Sequence, residues 1–406
     1  MHNQSNEAFL WVDLPFHLSP SVDNNHKMIN GRLKVLVCPL DWGLGHATRC
    51  IPIIRELISQ GVEVCFAGDG HALSLLKEEF PNITCYYLRG YRITFSAYIS
   101  PGLKLILRLP SLIGRLMVEH IRLKKLVSDH NFDVIISDNR YGLWNKRRYT
   151  VFITHQLNII PPPMLLFTAP LLRRLTRTFV RKYDECWIPD EPGNENISGR
   201  LSHNFPIPSN VKYIGLLSRF DQSNTAGNEA GRLIIPEALS HNFDLVALLS
   251  GPEPLRSQLE VILKQQLAIS PLQSLLIRGV TGTSSSPLAT GNLTIIDHLQ
   301  SNLLESILRK GPVIICRGGY STLMDLAFTG NRVICIPTPG QTEQEYLANK
   351  GNKENMLVYA HQNGFSLDEC VMRVNQTTGI IINRNSPSYK QAIRRLVDRI
   401  KLNNTK

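Results

Sequence analysis

The chain has 406 residues, is 43% hydrophobic and 19% charged, and has a formal net charge of +11 at pH 7. This length predicts two domains, each with its own core, and the composition excludes a disordered, collagen-like or disulfide-stapled protein. No window approaches the roughly 20 apolar residues of a membrane-spanning helix. Residues 1–31 are polar, lack the pattern of a signal peptide, and are predicted to form a flexible lead.

From Lys34 onward, short apolar runs alternate with helical patterns. This alternation is typical of a doubly wound, mostly parallel sheet. The predicted strands are Val35–Pro39, Val62–Ala67, Thr84–Leu88, Val134–Ser137 and Val151–Thr154, and the predicted helices are Ala47–Ser59 and His71–Glu79.

The residues Asp184–Gly215 are rich in Pro, Gly, Asn and Ser, and Ser218–Gly231 are polar, so we place the interdomain connection there. A second alternating series follows. Its predicted strands are Leu245–Leu249, Ser274–Ile277, Leu293–Ile296, Val313–Cys316 and Val333–Pro337, and its helices are Leu255–Leu267, Leu303–Leu308, Thr322–Phe328 and Gln344–Lys350. We therefore predict an α/β protein with two Rossmann-like doubly wound domains, 32–215 and 216–385, followed by a basic C-terminal helix within 386–406, over Pro387–Lys401.

Positive charge is concentrated between Ser100 and Lys182, where fifteen Lys and Arg residues face four acids, a local charge of +11. Two predicted basic amphipathic helices, Leu103–Val127 and Leu165–Tyr183, fall in this segment. They are either solvated helices with one core face or a landing surface for anionic lipid. Sparse aromatic residues and the lack of a nucleic-acid-binding motif disfavour nucleic acid as a partner.

The eight cysteines have no paired spacing, and several lie in apolar strand-like runs. This pattern favours a reducing cytoplasm, and the absence of a CxxC motif gives no reason to expect a metal site.

The loop Asp41–His46, with the sequence DWGLGH, joins the first predicted strand to the first helix. Gly43 and Gly45 allow a ligand to approach the backbone closely, and the helix N-terminus offers unpaired N–H groups. Two glycines do not make the dinucleotide motif GxGxxG, so NAD is disfavoured. His46 is a candidate base or hydrogen-bond donor, with helix capping as the alternative.

Three further loops follow strands in the second half: Ser250–Pro254, Arg317–Thr322 and Pro337–Glu345. Glycines, hydroxyls and helix N-termini in the first two suit a diphosphate. Asp325, one turn into the helix after the second loop, can accept both hydroxyls of a ribose. The amide and carboxylate groups of the third loop suit sugar hydroxyls.

With these loops, the sequence resembles a glycosyltransferase of the GT-B fold, in particular of glycosyltransferase family 28, whose known member adds N-acetylglucosamine to the lipid-linked peptidoglycan precursor. The likeness is best over Val313–Lys350 and fainter over Val35–Gly61. The resemblance implies two domains facing across a cleft and a C-terminal helix that packs back toward the N-terminal domain. The residues that it places at the donor diphosphate are Ser250, Gly251, Gly318, Gly319, Ser321 and Thr322.

The resemblance further implies that Asp325 binds the nucleotide ribose and that Gln344 binds the hydroxyls of the donor sugar. Glu345 stands where the family often has a second glutamine, and Leu44 replaces an expected glycine before His46. The sequence SGPEP also replaces the fuller glycine pattern of the second diphosphate loop. These departures leave the identity of the sugar open.

The resulting hypothesis is an inverting, metal-independent transfer of a sugar, N-acetylglucosamine or another hexose, from a UDP-sugar to an acceptor hydroxyl that a lipid could carry. Helix N-termini, with Arg256 or Arg317, are expected to stabilise the leaving diphosphate. His46 is the first candidate for the base, with Asp41 and Asp138 as alternatives. No cofactor is expected besides the UDP-sugar co-substrate.

His155, which follows a predicted strand, is a candidate acceptor-side group, and a structural role is equally consistent with its position. Two other functions stay open: a nucleotide-sugar 2-epimerase, and a non-catalytic nucleotide-sugar-binding subunit of a membrane glycosyltransferase. The few acids and histidines in the loops and the basic N-terminal half favour transfer. The expected location is the cytoplasm, with peripheral attachment to the inner face of the plasma membrane and a role in cell envelope polysaccharide synthesis as further hypotheses.

Overall fold

The computed structural model describes residues 32–41, 44–90, 109–221, 235–280, 286–382 and 388–404. From Leu33 onward the chain forms one compact unit. Its described residues build two seven-stranded sheets. This confirms the two doubly wound halves that the sequence predicts, although only five strands were predicted in each.

The first sheet is entirely parallel, with the order β3-β2-β1-β4-β5-β6-β7. Its strands are β1 (Lys34–Pro39), β2 (Glu63–Gly68), β3 (Cys85–Tyr87), β4 (Val134–Asp138), β5 (Tyr149–Ile153), β6 (Glu185–Ile188) and β7 (Val211–Tyr213). Its helices are α1 (Leu44–Ser59), α2 (Gly70–Glu79), α3 (Leu109–His130) and α4 (Ala169–Val180). Because β2 and β4 flank β1, the chain reverses its winding there, and doubly wound sheets bind ligands at such a point.

The second sheet has the order β10-β11-β9-β8-β12-β13-β14 and is parallel except for the edge strand β10. Its strands are β8 (Leu245–Leu248), β9 (Ser274–Ile277), β10 (Leu288–Thr290), β11 (Leu293–Ile296), β12 (Val313–Cys316), β13 (Val333–Cys335) and β14 (Val358–Tyr359). The helices in this half are α5 (Glu237–Ser240), α6 (Leu255–Ile269), α7 (Ser301–Leu308), α8 (Tyr320–Thr329), α9 (Thr342–Lys353), α10 (Leu367–Val374) and α11 (Tyr389–Asn404). The winding reverses between β8 and β12.

The central strands are continuous apolar runs because helices cover both faces of each sheet. Val35 and Val37 of β1, for example, are fully buried and belong to the same core cluster as Val246 of β8 and Ile314 of β12. One apolar core therefore reaches into both halves of the chain.

The C-terminal helix α11 packs back against the first sheet, as the resemblance implies. It contacts α1, and Arg399 Nη1 donates a hydrogen bond to the Tyr149 hydroxyl of β5 at 2.7 Å. Its apolar face is buried. The helix thus ties the end of the chain to the first half.

The prediction that Asp184–Gly215 is a linker is wrong. Strands β6 and β7 and the short 3-10 helix Gly199–Leu201 lie within it. All four residues of β6 are buried. Because the strand is so short and lies between polar stretches, its sequence does not show a recognisable strand pattern. The described part of the actual connection begins after Tyr213.

Three other element predictions need correction. Leu165–Tyr183 is not one helix but a 3-10 helix, Pro163–Thr168, followed by α4. The first basic helix ends at His130, and its predicted start, 103–108, lies outside the described residues. Strands β10 and β14 and helix α10 were not predicted, because they are short edge or surface elements. In the described ranges, no helix is long and apolar enough to cross a membrane.

Candidate active site between the two sheets

A histidine–aspartate pair lies at the point of reversal in the first sheet. His46 is in the first turn of α1, and Asp138 is the last residue of β4, in register with Pro39 of β1. His46 Nδ1 is 3.1 Å from Asp138 Oδ2. Asp138 is fully buried, whereas the His46 side chain is 16% exposed. When Nδ1 donates its proton to Asp138, the lone pair of Nε2 is free to accept a proton, as a general base requires.

Arg49, one turn after His46 on α1, neutralises the buried Asp138 carboxylate. Its Nε is 2.8 Å and 2.9 Å from the two Asp138 oxygens, and its Nη2 also donates to Asp138 Oδ1. Nη2 lies 2.9 Å from His46 Nδ1 as well, and because Nη2 can donate to the carboxylate, Nδ1 can keep its own proton directed at Asp138. Burial, and then the charge of Arg49, lower the pKa of His46. Burial alone would raise the pKa of Asp138, but Arg49 and His46 hold it below its usual value. At neutral pH, His46 is therefore uncharged and Asp138 is ionised.

The same network continues into the second half of the chain. Arg49 Nη1 is 3.0 Å from His155 Nδ1, and His155 Nε2 is 2.7 Å from Glu343 Oε1 at the start of α9. Gln156 Nε2 donates to the other Glu343 oxygen at 3.0 Å. The His155 ring stacks on the Tyr320 ring of α8, with centroids 4.1 Å apart. The buried histidine thus connects Asp138 and Arg49 to both helices.

Backbone carbonyls of the first half also bind α8 and α9. Ser321 Oγ donates to the Gly45 carbonyl at 2.8 Å, and Thr342 Oγ1 donates to the Ile160 carbonyl at 2.8 Å. Ser321 was predicted to face a diphosphate. In this structure its hydroxyl is hydrogen-bonded to the segment that contains His46, and the diphosphate role stays a prediction. The N-termini of α8 and α9 therefore lie directly against the carboxyl edge of the first sheet.

The loop before α8 requires glycine at one position and leaves space at the next. Gly318 has φ +71°, and a Cβ there would overlap the Cys335 sulfur. Gly319 is the N-cap residue of α8, and a Cβ there would meet nothing within 4 Å. The first backbone N–H groups of α8, including those of Ser321 and Thr322, have no partner within the helix. Open space at such an end can admit an anion.

The loop after β8 faces the loop after β13. Gly251, next to Ser250, has φ +106°, and a Cβ there would lie 3.8 Å from Thr338 Oγ1. Thr338 is 3% exposed, and its hydroxyl has no hydrogen-bond partner among the described residues. This buried hydroxyl could therefore form a hydrogen bond with a ligand near the loops that are predicted to bind the diphosphate.

Both arginines predicted at the diphosphate have partners within the protein. Arg256 donates to Glu253 and Glu260, each at 2.7 Å. Arg317 is buried and donates to Gln362 Oε1 at 2.7 Å, and burial lowers its pKa to about 10. In this structure the two guanidinium groups hold the surrounding loops together.

Asp325, the predicted ribose ligand, is buried on α8 and already accepts two hydrogen bonds. Ser218 Oγ donates at 2.7 Å and Arg219 Nε at 3.0 Å. Burial raises its pKa, and the charge of Arg219 opposes that shift. A ribose would share this carboxylate with the segment that joins the two halves.

The loop before α9 is fixed by its own side chains. Gln344 Oε1 accepts the Thr338 N–H at 2.8 Å, and Glu345 Oε1 accepts the Gly340 N–H at 3.0 Å. Their neighbour Glu343, like Thr342, binds a residue of the first half.

Among the other predicted residues, Asp41 lies apart from the His46 network. Asp41 Oδ1 accepts the Ala72 N–H of α2 at 3.0 Å, so it holds the start of that helix. Gly43 lies outside the described residues. Sequence reasoning missed Arg49 and Glu343. Arg49 is buried on α1, but its sequence position alone does not show what that helix face contacts.

Comparison with known proteins finds similarity to glycosyltransferases. Residues 283–400 match the model of the glycosyltransferase family 28 C-terminal domain. A curated "Uncharacterized glycosyltransferase" of Methanosarcina acetivorans is 29% identical over 211 residues, 46% of this chain and 50% of that protein. Another from Methanosarcina mazei is 24% identical over 340 residues, 77% of this chain and 82% of that protein. The chain thus spans half the length of the first relative and about four fifths of the second.

Solved structures show the fold. The glycosyltransferase SnogD from Streptomyces nogalater aligns with a TM-score of 0.55 and 14% identity, covering 91% of this chain and 99% of that one. The spinosyn rhamnosyltransferase SpnG also aligns with a TM-score of 0.55 and 14% identity, covering 91% and 96%. The chain therefore has the fold of these GT-B glycosyltransferases. The match of residues 283–400 to the family 28 C-terminal domain confirms the resemblance seen in that part of the sequence.

Proposed function

We propose that this protein transfers a sugar from a nucleoside diphosphate sugar, with UDP as the first choice of nucleotide, to an acceptor hydroxyl with inversion at the anomeric carbon. One observation supports this most strongly. The Ser321 hydroxyl at the N-terminus of α8 is hydrogen-bonded to Gly45, the residue before His46. A candidate base and a candidate diphosphate site therefore lie next to each other, on facing elements of the two halves.

In the proposed reaction, His46 Nε2 takes the proton of the acceptor hydroxyl as its oxygen bonds to the anomeric carbon. The bond from that carbon to the diphosphate oxygen breaks, and the diphosphate leaves with the electron pair. Asp138 keeps the Nδ1 proton in place, so the free lone pair stays on Nε2. A base and a leaving group on opposite faces of the sugar give inversion in a single displacement.

The leaving diphosphate is proposed to bind at the N-termini of α6 and α8, whose N–H groups and partial positive charge stabilise developing negative charge. In this proposal the helix ends replace a metal ion. Two of the structural neighbours, SsfS6 from Streptomyces sp. SF2575 and SpnG, were solved in complex with thymidine diphosphate. Those complexes make a nucleoside diphosphate the natural first ligand to test here.

We further propose that the acceptor is lipid-linked and that the protein binds an anionic membrane surface. The apolar ridge consists of four exposed side chains, Met164 at 85%, Leu166 at 55%, Phe167 at 78% and Leu171 at 55%. Two exposed arginines, Arg174 and Arg181, follow it along α4 and at the end of that helix. Apolar side chains that enter the interface, next to cations that contact lipid headgroups, are typical of a peripheral membrane helix.

The test is a turnover assay with a panel of nucleotide sugars, first screened by thermal shift, in wild type and His46→Ala. We expect acceptor-dependent release of the nucleoside diphosphate, and a loss of about 10²–10⁴-fold in kcat in the variant, the usual contribution of a general base. UDP affinity should stay unchanged, because His46 is outside the donor loops. Binding without turnover in wild type would indicate the non-catalytic subunit, and an epimerised nucleotide sugar would indicate the epimerase.

A further inference from the structure

His155 lies between Arg49 of α1 and Glu343 of α9, and each of its ring nitrogens faces one of them. Nδ1 is 3.0 Å from Arg49 Nη1, and Nε2 is 2.7 Å from Glu343 Oε1. The His155 side chain is only 7% exposed. Both nitrogens thus have partners within the protein, which indicates a role in holding those partners.

The partners of His155 determine which ring nitrogen carries the proton. A guanidinium can only donate hydrogen bonds, so Nδ1 accepts from Arg49 and carries no proton. The proton is then on Nε2, which donates it to the Glu343 carboxylate. The other Glu343 oxygen accepts from Gln156 Nε2 at 3.0 Å, so this carboxylate is held from a second side. Glu343 therefore favours the form of His155 that can accept from Arg49.

Packing fixes the plane of the imidazole as well. The His155 ring is parallel to the Tyr320 ring of α8, with an interplanar angle of 2° and a centroid distance of 4.1 Å. Tyr320 is itself buried, and its hydroxyl donates to the Pro189 carbonyl at 2.7 Å. Because the stack fixes the ring plane and Glu343 holds Nε2, the Nδ1 lone pair stays directed at Arg49.

Arg49 is the connection from His155 to the candidate base. Its Nη1 is on His155, while its Nε is on the Asp138 carboxylate and its Nη2 is near His46 Nδ1. Burial, and then the charge of Arg49, lower the pKa of His46, whereas the charge of Asp138 opposes that shift. Without an acceptor for Nη1, the guanidinium would be held less firmly and its effect on His46 would weaken. His46 would then keep a second proton up to a higher pH.

Other titratable groups also lie near this network. Cys50 Sγ is 3.9 Å from Asp138 Oδ2, and Tyr320 stacks on His155. Burial raises the pKa of both groups far above the ordinary value, so neither changes its charge in the range where a histidine titrates. Asp190, whose charge acts on Tyr320, accepts the backbone N–H groups of two residues of its own loop, Ile197 at 3.1 Å and Ser198 at 2.8 Å.

We propose that His155 is a positioning residue of the transfer reaction: it holds the Arg49 guanidinium against Asp138, and Glu343 of the second half holds the proton that lets it do so. The second half of the chain thus takes part in preparing a base that belongs to the first half. This inference rests on the proposed function for calling His46 a base, but the contacts themselves can be tested without turnover.

Three variants separate the two hydrogen bonds of His155 from its packing. His155→Asn places an amide oxygen near the position of Nδ1, so it can still accept from Arg49. His155→Gln places its amide near the position of Nε2, so it reaches Glu343 but leaves Arg49 without this acceptor. His155→Phe keeps the stack on Tyr320 and loses both hydrogen bonds. The pKa of His46 is measured in each protein by NMR titration with labelled histidine, and His46→Gln assigns its signal.

We expect the pKa of His46 to stay at its wild-type value in His155→Asn. In His155→Gln and His155→Phe it should rise by about one pH unit, the size of effect that a nearby charge has. In wild type, the ¹⁵N shifts of His155 should show the proton on Nε2. This last measurement needs no variant, so it decides the matter even where a variant does not fold.

A proton on Nδ1 of His155 in wild type would overturn the inference. So would an unchanged His46 pKa in all three variants, or an equal rise in His155→Asn and His155→Gln. Where turnover is found, the rise of kcat/KM with pH should move to higher pH in the same two variants. Absence of turnover together with the expected His46 shifts would remove the proposed function alone, and turnover with unchanged His46 titration would remove the positioning role alone.

Discussion

At the scale of single residues, the proposed chemistry depends on how His46 is kept uncharged beside an ionised Asp138. Arg49 explains both protonation states. Its positive charge compensates the buried Asp138 carboxylate and at the same time disfavours the second proton that would make the His46 imidazole cationic. Of these three residues, His46 and Asp138 could be predicted, since each follows an apolar strand. Arg49 could not be assigned from the pattern, because only the fold shows that its helix face meets the end of β4.

The lowered pKa of His46 predicts the pH dependence of the reaction. A general base works in its unprotonated form, so kcat/KM should rise with pH and reach a plateau. The midpoint of that rise should lie below about 6.5, the ordinary value for histidine. The same lowered pKa makes His46 contribute to the stability of the folded protein above about pH 6.5, its ordinary pKa. This contribution is lost as the pH falls through the pKa of His46 in the folded protein.

A pH–rate profile of kcat/KM measures this midpoint directly. A midpoint at or above the ordinary histidine value would show that another group is the base. His46→Gln, which cannot titrate, is the control, because the acid limb should vanish from its residual activity.

At the scale of elements, the loop before α8 offers two adjacent glycines with different roles. Gly318→Ala should destabilise the protein by about 1–3 kcal/mol, because it combines a positive φ with an overlap at Cys335. Gly319→Ala has ordinary backbone angles and open space, so its melting temperature should stay near that of wild type. UDP affinity should fall in both variants if the diphosphate occupies that space.

Thermal unfolding and UDP calorimetry on both variants separate the two effects. Unchanged UDP affinity in a stable Gly319→Ala variant would argue against a diphosphate at the start of α8.

Glu343 makes one of the contacts between α9 and the first half. Burial alone would raise the pKa of Glu343, but His155 and its neighbours hold it below the usual value. Its contribution to stability is therefore present above pH 4.5 and is lost as the pH falls through its folded pKa. Glu343→Gln should lower the free energy of unfolding by about 1–3 kcal/mol at pH 7, since charged hydrogen bonds are replaced by neutral ones.

Chemical denaturation at pH 7 and pH 4 measures the contribution of Glu343 to the free energy of unfolding. The difference between wild type and Glu343→Gln should shrink at the lower pH, and a difference independent of pH would contradict the ion-pair explanation. Glu345→Gln, whose carboxylate binds only within its own loop, is the matched control.

The same elements show what the sequence could and could not predict. Long strands with apolar runs, such as β1 and β4, were found because burial on both faces leaves a clear pattern. Strand β6 was missed because its four residues lie between polar segments and are too few to form such a pattern. Glu343 was missed because the family resemblance directed attention to Gln344 and Glu345, and its contact with His155 joins positions far apart in sequence.

At the scale of the whole molecule, the two sheets share one core, and the network from Asp138 to Glu343 connects them across the cleft. We propose that a donor bound at α8 displaces the hydrogen bond from Ser321 to Gly45, which would link donor binding to the relative position of the two halves. Domain closure of this kind excludes water and protects the donor from hydrolysis.

The proposed membrane attachment also involves the surface of the whole molecule. Met164→Ser/Phe167→Ser and Arg174→Glu/Arg181→Glu should each weaken binding to phosphatidylglycerol vesicles by tenfold or more, because apolar insertion and charge act together. The arginines chosen are exposed, whereas Arg173 and Arg177 are half-buried and have partners in the protein.

Vesicle co-sedimentation provides the measurement, with phosphatidylcholine vesicles as the uncharged reference. Leu288→Ser/Met372→Ser, which removes exposed apolar residues elsewhere, is the control. Binding that ignores lipid charge, or that survives both variants, would remove the membrane from the proposed function.

The most direct single measurement is a crystal structure of the protein with UDP. We predict diphosphate oxygens within about 3 Å of the backbone N–H groups of Ser321 and Thr322, the usual hydrogen-bond distance, with the Ser321 hydroxyl released from Gly45. Phosphates bound elsewhere, with the Ser321–Gly45 contact intact, would contradict a donor site between the two sheets.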